Sequence, residues 1–434
     1  MCIVAFCVLT SEFPTGTFEA HWGTPWHYVA DVLFAPIPGI RLWYLDGIFL
    51  ALWFAARLAP GASRGIAKPM TTAILLSMGT LLAWGVLGTL RGGSVIDMRL
   101  QLHTVTMVYL VSFMMMSALR TPDHFRMLGK AIVAAALFRA LMIFLFYVLV
   151  MRTLPEYIAT ITDHGDSITF VTAIVLVLAD AIHARDKKAT WRALVIIPIL
   201  VFAIHMNNRR LAWVGLIGSL LVVYFLLPSG KIRRNVHRKL LWASPFIAAY
   251  VVAGWGKTTG IWKPLSALQS MGPSSNDPST ESRNIENMGL IVTLQTSRWT
   301  GTGFGHQYIE VSSVYSAGVV FPQYRYCPHN SVLGLAAFTG MFGMLGIWLV
   351  FPVAAYLAAR SYRGAQLPLH KTMAMATVAE VWIHMNQLYG DIGLNAWQGL
   401  VIMSGGFAAA ARLPHMTGIW VSPTVKTEAP SPGK

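Results

Sequence analysis

The chain has 434 residues, of which 55% are hydrophobic and only 12% charged, with a formal net charge of +15. Soluble domains carry about 25% charged residues, so this balance excludes an ordinary soluble enzyme and indicates a polytopic membrane protein. Cys2, Cys7 and Cys327 show no CxxC or Cys/His spacing, which argues against both a disulfide framework and a structural zinc.

In chain order, residues 2–9, "CIVAFCVL", are too short to cross a bilayer alone and lack a basic leader or a small-residue cleavage site. They read as a partial first span, not as a secretory signal. Eleven apolar runs follow, at 40–57, 70–90, 100–119, 128–151, 167–184, 191–206, 211–227, 240–256, 331–358, 373–390 and 394–411. Each is long enough, or nearly so, for a hydrocarbon core of about 30 Å. No fixed-period repeat is visible. The expected fold is all-α: one membrane-embedded unit over 1–434, a transmembrane bundle of about 11–12 spans with a single large outer loop at 257–330.

Charge sets the orientation. With the 58–69 loop inside, alternation places 21 of the 33 Lys and Arg residues at inner segments, as the positive-inside rule requires. The net charge is then a topology signal, so nucleic acid is not an expected partner and membrane lipid is. A tail at 413–434 is expected to be cytoplasmic and disordered. The outer loop opens on the turn-rich "MGPSSNDPSTESRN", runs through a short helix at about 285–297 and ends in "TGTGFGHQY". Loops of this length are functional or disordered, and this one carries too many aromatics, Trp299 and Tyr308 among them, for disorder.

The polar residues on the outer side divide by chemistry. "HMNNRRLAW", residues 205–213, joins two spans by a very short connection and leaves Arg209 and Arg210 at the outer border, against the charge bias. Two readings are open: snorkelling to lipid phosphates, or recognition of a phosphate on a membrane-embedded ligand through the planar guanidinium fork. Arg283, in the loop, is open in the same way between a solvated arginine and a phosphate clamp. His329 follows Pro328, precedes Asn330 and opens a glycine-rich span; it is either a plain interfacial residue or an imidazole held where it can take a proton. "GTGFG" at 301–305 lacks the Lys-Ser/Thr of a P-loop and the GxGxxG spacing, so it reads as a backbone turn returning the loop to the membrane. There is no HExxH and no DxD, and Asp163 and Asp166 of "DHGD" are expected to be solvated. No metal and no cofactor are expected.

These motifs resemble those of the bacterial O-antigen ligase and polymerase superfamily. "NRRLAW" is similar to its arginine-x-alanine motif, although Asn208 stands where a small hydroxyl residue is commoner and Arg209 adds a second charge. "TSRWTGTGFGHQY" followed by "HNSVLGLAAFTGMFGMLGIW" is similar to its Gly-x-Gly-x-Gly and His-Asn-x-x-Leu pattern. The resemblance implies a metal-independent, inverting glycosyltransferase of the C type in the bacterial inner membrane. Its active site would face the periplasm and take an undecaprenyl-diphosphate-linked glycan as donor. His329 would be the catalytic base and Arg210 and Arg283 the diphosphate clamp with Arg209 beside them, while Asn330, Tyr308 and Trp299 support the site. The acceptor would be a sugar hydroxyl of lipid A-core, or of another lipid-linked glycan in a polymerase. From the residues alone a polysaccharide flippase or transporter is the rival of another class, since Arg139 and Glu380 lie within spans.

Overall fold

The computed structural model describes residues 1–11, 32–38, 42–61, 63–151, 161–162, 164–184, 186–257, 260–269, 278–312, 322–391 and 396–420. Among them the regular structure is helical: α1 Cys2–Thr10, α2 Tyr44–Leu58, α3 Lys68–Leu90, α4 Val95–Ala118, α5 Pro122–Leu149, α6 His164–Ala184, α7 Lys187–Asn207, α8 Arg210–Leu226, α9 Lys231–Gly254, α10 Lys263–Gln269, α11 Pro278–Thr296, α12 Ser331–Trp348, α13 Val350–Gly364, α14 Pro368–Gly390 and α15 Trp397–Met416. Among the described residues, every apolar run expected to span falls largely on helix. Six stretches, α3 to α7 and the continuous α12–α13 pair, are long and apolar enough to cross a membrane on their own. The others have reasons not to be: α2 and α8 are short, and α9 opens on the basic "KIRRNVHRK". In turn, α14 and α15 bury most of their length in protein and so need less apolar surface.

At the centre lies α15. Its "SGGFAAAA" stretch lets neighbours approach closely, the small-residue logic of membrane packing. It packs against α4, α14, α13 and α6, and every residue from Trp397 to Pro414 is buried. Arg412 adds a polar tie, its Nε donating to the Met116 carbonyl at 2.8 Å. The helix continues to Met416, so residues 413–416 belong to the bundle and not to a tail; Leu413 and Pro414 are buried within it. Residues 421–434 lie outside the described residues. The short α1 packs on α5 and α15 and buries Ala5, Val8 and Leu9.

Arg139 and Asp166 close a buried pair between α5 and α6, with Nη2 to Oδ2 at 2.8 Å. This corrects the expectation that Asp166 is solvated: an arginine buried among helices needs a partner, and the first turn of α6 supplies it. Asp163 lies outside the described residues.

The loop after α11 is built into the bundle by a break in α12. Gly340 adopts φ 60° and ψ −170°, which frees backbone groups on both sides of it. Thr302 and Gly303 N–H donate to the orphaned carbonyls of Ala337 and Phe338, at 3.3 and 2.8 Å, while Met341 and Phe342 N–H donate to the carbonyls of Arg298 and Trp299, at 2.9 and 3.1 Å. Helix and loop thus satisfy each other where water is scarce. The "GTGFG" turn is what this requires: Gly301, Gly303 and Gly305 all have positive φ, and a Cβ on Gly303 would strike the backbone of Gly88 in α3.

Candidate active site

One end of the bundle gathers polar side chains from α4, α6, α8, α11, α12 and α14. The start of α12 is set by Asn330, whose Oδ1 accepts from Leu333 N–H at 3.0 Å, the usual N-cap arrangement. That cap leaves His329 just outside the helix, where Glu286 of α11 grips it twice. Glu286 Oε1 accepts the His329 backbone N–H at 2.8 Å and Oε2 accepts Nδ1–H at 2.9 Å. Glu286 is buried, whereas the imidazole stays 20% exposed. With Nδ1–H donated to a carboxylate, Nε2 carries the lone pair. The Tyr324 ring lies 4.7 Å from the imidazole, and Asn330 Nδ2 donates to Asn287 Oδ1 at 3.1 Å, tying α12 to α11 a second time.

His329 forms part of the wall of two cavities. The first, of about 510 Å³, holds Arg210, Arg283, Thr280 and Asn287 against an apolar side made by Leu211, Val214 and Trp382. Arg210 Nη1 donates to Thr280 Oγ1 at 3.0 Å and Arg283 Nη1 to the Gly390 carbonyl at 2.8 Å. Both arginines line the cavity that Glu286 and His329 border. The second cavity, of about 630 Å³, shares His329 with the first and is lined by Trp43, His103, His164, Tyr324, Asp391 and Trp397 among others.

Adjacent residues of the "RR" pair part company here. Arg210 opens α8, while Arg209, its N-cap, turns toward α6: Nη2 donates to the Thr162 carbonyl at 2.9 Å and Nη1 to His164 Nε2 at 2.9 Å. His164 Nδ1 in turn meets Asp391 Oδ2 at 2.5 Å. The helix boundary falls between them: Arg209 is extended at φ −90° and ψ 120°, just after Asn208 at φ 54°, while Arg210 is already helical. So the fold brings His329, Asn330, Arg210 and Arg283 to one cavity and sets Arg209 in a separate network. Trp299 and Tyr308 line neither cavity. Trp299 is 64% exposed and stacks on Phe342, while Tyr308 is buried and packs on α11 at Gly289.

Glu286 is the functional residue that the motif reading passes over. A signal exists: Thr280, Arg283, Asn284 and Asn287 recur at the i, i+3, i+4, i+7 spacing of one helix face, and Glu286 borders that stripe. His103, His164 and Asp391 carry no comparable local mark. Among the described residues no group of three or more His, Cys, Asp and Glu is arranged to hold a metal ion.

The fold and site define a multi-pass α-helical membrane protein with a basic, histidine-bearing polar site at one end of its bundle. Residues 193–348 match the family model described as O-antigen ligase, and this places that segment within the O-antigen ligase and polymerase superfamily. No curated protein matches the chain. The matched segment holds Arg209, Arg210, Arg283, Glu286, His329 and Asn330. The superfamily supports a membrane enzyme that transfers glycosyl groups in polysaccharide assembly.

Proposed function

We propose that the protein is a membrane glycosyltransferase moving a glycan from an undecaprenyl-diphosphate donor to a sugar hydroxyl of lipid A-core, at the periplasmic face of the inner membrane. The observation that carries this reading is the position of His329, whose Nδ1 lies 2.9 Å from Glu286 while its ring borders a cavity that also holds Arg210 and Arg283. The two guanidiniums balance the diphosphate and stabilise the charge that grows as it leaves, and electrostatic stabilisation of this kind dominates catalysis where charge develops on a departing group. Apolar walls at Leu211, Val214 and Trp382 suit the lipid end of the donor. His329 Nε2 takes the proton from the acceptor hydroxyl; Glu286 holds the ring in that tautomer and steadies the imidazolium that forms. The hydroxyl oxygen bonds to the anomeric carbon as the carbon–phosphate oxygen bond breaks, and attack opposite the leaving group inverts the centre.

Purified protein incubated with an undecaprenyl-diphosphate glycan and lipid A-core, without nucleotide, tests this. Appearance of the glycan on lipid A-core supports a ligase. Lengthening of the lipid-linked glycan instead assigns the same chemistry to a polymerase. Consumption of neither substrate refutes the proposal.

A further inference from the structure

The second cavity takes neither Arg210 nor Arg283 into its wall, yet it is the larger of the two and shares His329 with the first. Its outstanding feature is another carboxylate-backed imidazole. His103 of α4 has Nε2 2.9 Å from Asp46 Oδ2 of α2, and Asp46 is buried. The same Asp46 oxygen accepts the Trp43 backbone N–H at 3.0 Å, so carboxylate, imidazole and indole are fixed together at the start of α2. Trp43 and Trp397 pack their rings on His103 with centroids 5.0 and 5.7 Å away. With Nε2–H given to the carboxylate, Nδ1 is an acceptor, and it makes no hydrogen bond among the described residues. An apolar aromatic wall beside one oriented acceptor is what a sugar ring requires, since its C–H face is apolar and its rim is a row of hydroxyl donors.

The remaining residues fit the same ligand. His164 is not a second free imidazole, because Arg209 N–H and Asp391 occupy its two nitrogens; it forms a fixed polar wall. Asp97 and Arg99 also line the cavity, and Arg99 is exposed. His329 belongs both to this wall and to that of the arginine cavity, so a sugar seated here would lie next to the imidazole that borders the diphosphate.

We infer that the cavity between α2, α4 and α15 is the acceptor site and binds a terminal sugar of the acceptor glycan. Its ring lies against Trp43 and Trp397, and one of its hydroxyls donates to His103 Nδ1. His103 is a positioning residue in this scheme and takes no proton from the reacting hydroxyl. The inference rests on the glycosyl-transfer reading for the reaction itself, but acceptor binding is measurable without turnover.

The test uses the full chain in nanodiscs, with lipid A-core as acceptor probe and an undecaprenyl-diphosphate glycan as donor probe, each binding measured separately. His103→Gln is the informative variant, because its amide N–H can still donate to Asp46 while its one acceptor, the carbonyl oxygen, no longer sits at the ring Nδ1 position. Trp43→Ala removes the wall. Both are expected to weaken acceptor binding by about tenfold, the scale of one lost polar contact or apolar face, and to leave donor binding within about twofold. In turnover, the acceptor KM rises with kcat at saturating acceptor retained. Arg283→Ala gives the reverse pattern. Thermal unfolding checks that each variant is folded, and a misfolded His103→Gln is replaced by Trp43→Phe, for which a smaller loss in the same direction is expected. The inference is overturned if wild-type protein does not bind lipid A-core, if folded variants bind it normally, or if they lose donor instead. Acceptor binding that tracks His103 in a protein showing no transfer would keep the site and reject only the reaction.

Discussion

The two cavities that meet at His329 are assembled in different ways. The arginine cavity takes most of its polar residues from one continuous region, Arg210 through Asn330, with α14 adding Trp382 to Gly390. All but that last piece falls within the 193–348 family match. The histidine and tryptophan cavity draws on Trp43, on Ile96 to Thr104, on His164, on Gln323 to His329 and on Asp391, Ala396 and Trp397. Most of these lie outside the matched segment. Phosphate recognition needs little more than two guanidiniums held by a turn and a helix, which one region can supply. An aromatic wall with an oriented acceptor beside it, as inferred for the sugar, is here assembled from segments far apart in the chain.

If the division is right, changes at the shared wall hit hardest. His329→Ala is expected to lower transfer on the order of 10² to 10⁴, with binding of both substrates nearly kept, as measured by single-turnover assays beside equilibrium binding. Near-normal transfer would reduce His329 to an interfacial residue. Next comes Glu286→Gln, which leaves the ring in place but removes the charge that steadies its protonated form; a fall of about 10² is expected, at the lower end of the base's own contribution. The discriminating readout is kcat, with both KM values unmoved.

On the arginine side, Arg210→Lys and Arg283→Lys are each expected to cost about 10- to 100-fold in kcat/KM for donor, because an ammonium does not reproduce a two-pronged contact. Acceptor affinity in these variants should match wild type; if it fell equally, the two cavities would not be separate sites. Arg209→Lys serves as the contrast. Since Arg209 contacts Thr162 and His164, its loss should weaken stability or acceptor binding and spare the donor.

Two small effects complete the comparison. A chelator should leave turnover unchanged, because guanidinium balances the diphosphate; activity lost in EDTA and restored by Mg²⁺ would contradict the clamp. Trp299→Ala, at an exposed ring that lines neither cavity, should change activity by less than about threefold, in keeping with surface substitutions generally.

The helices behind the apolar runs and the outliers Arg210, Arg283, His329 and Asn330 are legible in the chain, because hydropathy acts locally: an apolar helix is defined by its own residues. The glycine turn at 301–305 is legible for the same reason, since positive φ is a property of single residues. Pairing is different, because it exists only in the packed bundle. Glu286 meets His329 across 43 positions and Asp46 meets His103 across 57; the polar stripe of α11 marks the helix face near Glu286, but nothing local says which imidazole either carboxylate meets. Arg209 and Arg210 look alike as neighbours, yet the start of α8 falls between them, Arg209 being its extended N-cap and Arg210 its first helical residue, and their side chains reach different networks. Trp299 and Tyr308 stand beside the motif and outside both cavities, because the break at Gly340 draws their loop into the bundle to satisfy backbone groups. Which side chain reaches which cavity depends on how helices distant in sequence pack, and that is settled by the whole set of contacts at once.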